Sequence, residues 1–264
     1  MDSFQDQQDF FKEHWPMLRQ KLESGGVEAA ISWIDYSFSN ERDRRVLFLF
    51  ARQGMVMGDW LGKSLAACVQ FADACIAECL SQSAKATDEL GRDRCLDAAN
   101  VASYNLAADL AWCWNDDFVR EAHDYERGLK AAQECIKWRR QLGKGPWPMS
   151  MAYWAEGVHR LALKDHTGAL QSFHKALDYA LEDASAKGLT IEIGPDCAGT
   201  VLLSHGWLNL ARLKLDEKGA QQQYASVIVN LSSQEESPDE HISGDAQFYR
   251  KQLEDARLIL FPEN

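Results

Sequence analysis

Proline is scarce in this chain of 264 residues: it occurs six times, at 16, 146, 148, 195, 238 and 262, and nowhere between Met17 and Gly145. Proline removes a backbone N–H and clashes with the preceding turn, so a long stretch without it permits long helices. Alternating runs of β-branched residues bounded by turn residues, the mark of half-buried strands, are also missing. No window approaches the roughly 18 apolar residues that span a bilayer. The first residues, Met1 to Asp6, carry neither a basic n-region nor an apolar h-region. The expectation is a protein made and kept in the cytoplasm. Basic charge is in deficit, with 28 lysines and arginines against 40 acids and a formal net charge of −12. Such a field repels phosphate backbones and anionic head groups, so neither nucleic acid nor a membrane surface is an expected partner.

The familiar catalytic and metal-binding patterns are missing too. There is no HExxH among the seven histidines, no GxSxG elbow, no GxxxxGK[ST] loop and no glycine-rich strand-to-helix turn. Seven cysteines, at 68, 75, 79, 95, 113, 135 and 197, include no CxxC pair. Cys68, Cys75 and Cys79 share one helical face, yet no histidine lies between His14 and His123 to complete a zinc set. They read as reduced, buried small hydrophobes. Acid pairs such as Asp116-Asp117 arise freely on an acidic surface. No catalytic residue, metal or cofactor is expected, and the chain does not read as an enzyme.

Hydrophobic residues at 46% and charged residues at 26% are ordinary for a globular protein and argue against disorder. Alanine, leucine, glutamate and arginine recur at spacings of three and four, which is the helical period. The pattern predicts an all-α protein with helices over Ser3–Glu23, Val27–Tyr36, Glu41–Met57, Trp60–Gln82, Thr87–Trp114, Asp117–Leu142, Pro148–Leu163, His166–Lys187, Asp196–Leu215, Lys218–Leu231 and Ser243–Leu260. Gly25-Gly26, Gly58-Asp59, Gly143 to Pro146 and Gly194-Pro195 separate them. Ser232 to Ser237 reads as a weak linker.

Paired helices with short turns prompt a test for repeats. The best window is 150–183, in which Gly157, Ala169, Phe173 and Ala176 fall at positions 8, 20, 24 and 27, with Tyr153 at position 4. Small residues at Gly157 and Ala169 let two antiparallel helices approach closely, Phe173 fills the groove, and Ala176 admits the next helix. This window resembles the tetratricopeptide repeat family. It departs from that pattern at Glu156 and Arg160, which occupy usually apolar places, and at Leu181, which replaces the usual proline. Flanking hairpins match in part. The one before carries Leu106-Ala107, Leu110, Gly128, Ala132 and Cys135, with about nine extra residues around Asn115 to His123. The one after carries Trp207, Leu210, Ala211, Ala220, Tyr224 and Val227.

The resemblance implies a right-handed α-solenoid of stacked antiparallel hairpins in a single domain. Residues 1–57 would form the N-terminal capping helices, 58–231 the hairpins, and 232–264 a linker and a C-terminal capping helix. It implies further that the first helix of each hairpin lines a concave groove that binds a partner protein or peptide. Tyr104, Met151, Trp154, Val158 and Leu161 fall on inward places, and Asn209 and Arg212 would add a polar end. Nine tryptophans are unusual, and Trp112, Trp114, Trp138, Trp147 and Trp154 crowd around the best repeat, either as helix-packing core or as an aromatic groove. The basic run Lys137, Arg139, Arg140 and Lys144 reads as a solvated helix face. Two alternatives stay open: a helical small-molecule-binding or catalytic protein with a tryptophan-rich pocket, and an acidic immunity or inhibitor protein that neutralises a basic partner. A homodimer through the capping helices also stays open.

Overall fold

The computed structural model describes residues 3–114 and 116–262. It is all-α as the periodicity predicts, with ten helices that pack mainly on their neighbours in sequence and no strand among the described residues. They are α1 (Phe4–Ser37), α2 (Glu41–Arg52), α3 (Leu65–Lys85), α4 (Glu89–Asp109), α5 (Ala122–Gln141), α6 (Pro146–Ala162), α7 (His166–Ala186), α8 (Gly199–Lys214), α9 (Ala220–Gln234) and α10 (Glu240–Leu260). No helix among the described residues is long and apolar enough to cross a membrane. The chain divides into two compact units, Met1–Asp109 and Leu110–Asn264.

The first unit holds α1 to α4. Ser3 opens α1 with a capping box, its hydroxyl accepting from the Asp6 N–H at 3.1 Å while the Asp6 carboxylate accepts from the Ser3 N–H at 3.1 Å. Gly26, at φ 73°, interrupts α1 where the Gly25-Gly26 pair predicts a break. One π-helical turn, Gln53–Met57, follows α2, and α3, predicted from Trp60, starts only after a loop, with Ser64 as its cap. Arg52 grips Asp109 through two hydrogen bonds of 2.7 and 2.5 Å.

The second unit holds α5 to α10, and its helices end by one repeated device. Gly143, Lys164, Gly188 and Asp216 all take left-handed backbone conformations just past α5, α6, α7 and α8. The next residue in each case returns its N–H to the last turn: Lys144 to Arg139 and Asp165 to Arg160 at 2.9 Å, Leu189 to Ala184 at 2.9 Å, and Glu217 to Arg212 at 3.1 Å. These bonds satisfy carbonyls that a helix end leaves unpaired. An ion pair repeats as well, Arg160 with Asp165 at 2.6 Å after α6 and Arg212 with Glu217 at 2.8 Å after α8.

The small positions of the best window behave as their sizes require. A Cβ on Gly157 would lie 2.6 Å from the Phe173 ring, and Ala169, Phe173 and Ala176 are buried. At Gly206 a Cβ would lie 2.3 Å from Leu253, so α10 crosses α8 backbone to side chain there. The core of this unit runs from Ala111 through Val158, Phe173, Trp207 and Tyr224 to Leu253.

All seven cysteines are free and buried. Burial pushes the Cys68 and Cys135 thiols up to about 11 and Cys113 to about 12. Above the ordinary thiol range the unfolded chain releases protons that the folded chain keeps, so stability falls as pH rises toward those values. Native protein at pH 8 should therefore react negligibly with Ellman's reagent, and guanidinium should expose seven equivalents; a rapid native reaction of several thiols would contradict this packing.

Candidate functional site

The helix predicted over Thr87–Trp114 stops at Asp109, and the next residues turn into the second unit. Their burial explains the early stop. Trp112 is buried and donates its indole N–H to the Val158 carbonyl of α6 at 2.9 Å, while Gln252 of α10 reaches the Cys113 sulfur at 3.9 Å. A continued helix could not place both side chains in that core. The helix that follows begins at Ala122, later than predicted, because Glu121 and Asp124 form its capping box. Between them Arg120 holds Asp116 through two 2.7 Å hydrogen bonds and lies over the Phe118 ring. Asn115 lies outside the described residues.

Four tryptophans from three parts of the unit, the segment after α4, α6 and α8, converge here. Trp112 meets Trp207 edge-on with ring centres 5.9 Å apart, Trp207 meets Trp154 at 6.0 Å, and Trp154 meets Trp114 at 6.0 Å. Phe173 stacks on Trp207 at 5.6 Å and Phe248 of α10 stacks on Trp114 at 6.2 Å. Trp207 is fully buried, whereas Trp114 and Trp154 are half-buried. The indole N–H groups of Trp154 and Trp207 reach no acceptor among the described residues, a cost of about 1–3 kcal/mol each where no aromatic face substitutes.

The half-buried end of this cluster opens into a cleft of 560 Å³ between the 112–120 segment, Tyr125 and the last turns of α10. Trp112, Trp114, Phe118 and Tyr125 give it aromatic walls, and Asp116, Arg120 and Asp255 add charged groups. Leu258 and Ile259 at its rim are 61% and 54% exposed, Phe248 beside Trp114 is 53% exposed, and Val119 is 84% exposed. A cluster of apolar side chains this exposed is uncommon on a surface with no binding role.

The expected groove residues are distributed differently from the inward pattern that nominated them. Val158 and Leu161 are buried in the core, because the 110–114 segment covers the inward stripe of α6. Asn209 is buried, donates to the His205 carbonyl at 2.9 Å and accepts from Arg212 at 3.2 Å. Arg212 is committed to Glu217 and Gln223 at the turn after α8. Met151 and Trp154 stay half-buried, and only Trp154 joins the tryptophan cluster. Tyr104 belongs to the first unit, half-buried on α4. Trp138 and Trp147 sit outside the cluster, while Trp207 and Phe248, distant in sequence from the best repeat, complete it.

Among the described residues no group of histidines, cysteines and acids is placed to hold a metal ion. Comparison with protein families, with curated proteins and with solved structures finds no match to this chain.

Proposed function

We propose that this protein is a non-catalytic binding module of stacked helix hairpins, similar to tetratricopeptide repeats. Its ligand is an apolar segment of a partner protein, seated in the aromatic cleft between the 112–120 segment and α10. The observation that carries this reading is the convergence of Trp112, Trp114 and Phe118 on a cleft whose rim leaves Leu258 and Ile259 more than half exposed. The helix-end device repeated after α5, α6, α7 and α8 supports a hairpin repeat. The binding surface is then not the inward stripe of α6, which the 110–114 segment covers, but the open end of the same aromatic cluster. Asp116 and Asp255 at the cleft are paired with Arg120 and Lys251, so it is the net charge of −12 on the whole chain that favours a segment whose apolar side chains are flanked by lysine or arginine.

The test is affinity capture with the parent and two variants, Trp114→Ala and Phe248→Ala. Aromatic anchors commonly carry about 2 kcal/mol or more of an interface, so each variant should lose the captured partner while its far-ultraviolet circular dichroism stays like the parent's. Phe248 is half exposed and Trp114 half-buried, which keeps folding and binding separable. Identical capture by all three proteins would remove the cleft as the binding site.

A further inference from the structure

On the stripe of α6 opposite Trp154 lies a second cleft of 470 Å³, formed by α5, α6 and α7. It is lined by three cations from two helices, Lys137 and Arg140 of α5 and Lys175 of α7, around Tyr153 and Glu156 of α6. On so acidic a chain this is unusual, and neighbouring cations by contrast face carboxylates: Arg127 and Lys130 share Glu134 at 3.9 and 4.0 Å, and Arg160 pairs with Glu156 at 3.0 Å. Lys137, Arg140 and Lys175 enter no ion pair among the described residues.

Their positions are set by an aromatic floor. Tyr153 is buried, stacks on Tyr179 with ring centres 5.8 Å apart and planes 12° apart, and accepts a hydrogen bond from the Arg140 guanidinium through its hydroxyl. The Lys175 ammonium lies 5.1 Å from the Tyr153 ring centre. Arg140 is thereby fixed, and the hydroxyl, acting as acceptor toward Arg140, keeps its own proton to donate. The one carboxylate in the lining, on Glu156, accepts from Ser172 at 3.0 Å and from Arg160, so its charge is offset from outside the cleft.

We propose that this cleft is an anion site for a dianionic phosphate monoester, bound by Lys137, Arg140, Lys175 and the Tyr153 hydroxyl. Three positive charges with their many N–H donors exceed what a single carboxylate satisfies, and they suit the two charges and three oxygens of a phosphoryl group. The inference is independent of the aromatic cleft and holds whether or not that cleft takes a partner.

The experiment is a nuclear magnetic resonance titration of the full chain at constant ionic strength, following the Ile136 methyl groups and the Tyr153 and Tyr179 rings. Inorganic phosphate and a phosphoserine pentapeptide are the probes, with chloride and acetate as controls. Both phosphates should produce saturable shifts confined to these signals. Lys137→Ala and Lys175→Ala should each weaken binding by about tenfold or more, the usual cost of losing a hydrogen bond to a charged group. Both lysines are exposed, and unchanged circular dichroism will show the variants folded. A pentapeptide bound more tightly than inorganic phosphate identifies a phosphorylated protein as the source, and equal affinity identifies a small free phosphate ester. Chloride shifts of the same size, or unaltered phosphate affinity in the double variant, would overturn the site.

Discussion

Truncating Trp207 to alanine should lower the free energy of unfolding by about 3–5 kcal/mol, the usual cost of deleting a large aromatic side chain from a core. Trp207 is fully buried between Trp112, Trp154 and Phe173, with ring centres 5.6 to 6.0 Å away. Three rigid rings cannot collapse into the space it would leave, so the loss belongs at the upper end of that range. One opposing effect exists, because its indole N–H has no acceptor among the described residues and removing it relieves about 1–3 kcal/mol at most. Trp207→Phe separates the two, since it keeps the stack on Phe173 and deletes the N–H. Urea unfolding of both variants should therefore show a much smaller loss for phenylalanine. Equal losses would mean that the ring packing is not what holds this unit together.

The second large effect is expected at Gly157. Any side chain there begins 2.6 to 2.8 Å from three atoms of the Phe173 ring, and that ring is held from behind by Trp207. Overpacking a core generally costs about 1–3 kcal/mol. Gly157→Leu should reach about 3 kcal/mol because α6 and α7 would have to separate. Adding Phe173→Leu should restore part of the loss, as contacting residues do in a double-mutant cycle. If Gly157→Leu melted like the parent, the close approach of these two helices would be refuted.

Both predictions rest on local contacts, and local contacts are what the amino-acid pattern carried well. Gly26 and Gly143 sit at breaks because no other residue takes a positive φ so cheaply, and Gly157 and Phe173 stand sixteen positions apart on one hairpin. The helix end at Asp109 was not legible, for the deciding interactions come from Val158 and Gln252, far along the chain. The same holds for the cleft. Periodicity placed Trp154 and Val158 on one stripe, but it could not say that the chain's own 110–114 segment would lie across it, nor that Phe248 would return to stack on Trp114. Lys137 and Arg140 were visible as a basic run on one helix, and the run looked like a solvated face until α7 brought Lys175 beside it.

The row of four indoles is also an optical array. The rings run from Trp112 through Trp207 to Trp154 in edge-on contact and on to Trp114 in a tilted one, with centres 5.9 to 6.0 Å apart, close enough that their electronic transitions should couple and give a strong near-ultraviolet circular dichroism signal. Trp207 is sealed from solvent, while Trp112 is buried and Trp114 half-buried in the wall of the cleft. Trp112 and Trp114 both line the cleft, so a partner seated there as proposed would alter the emission of the row, and intrinsic fluorescence would then report whether the cleft is filled.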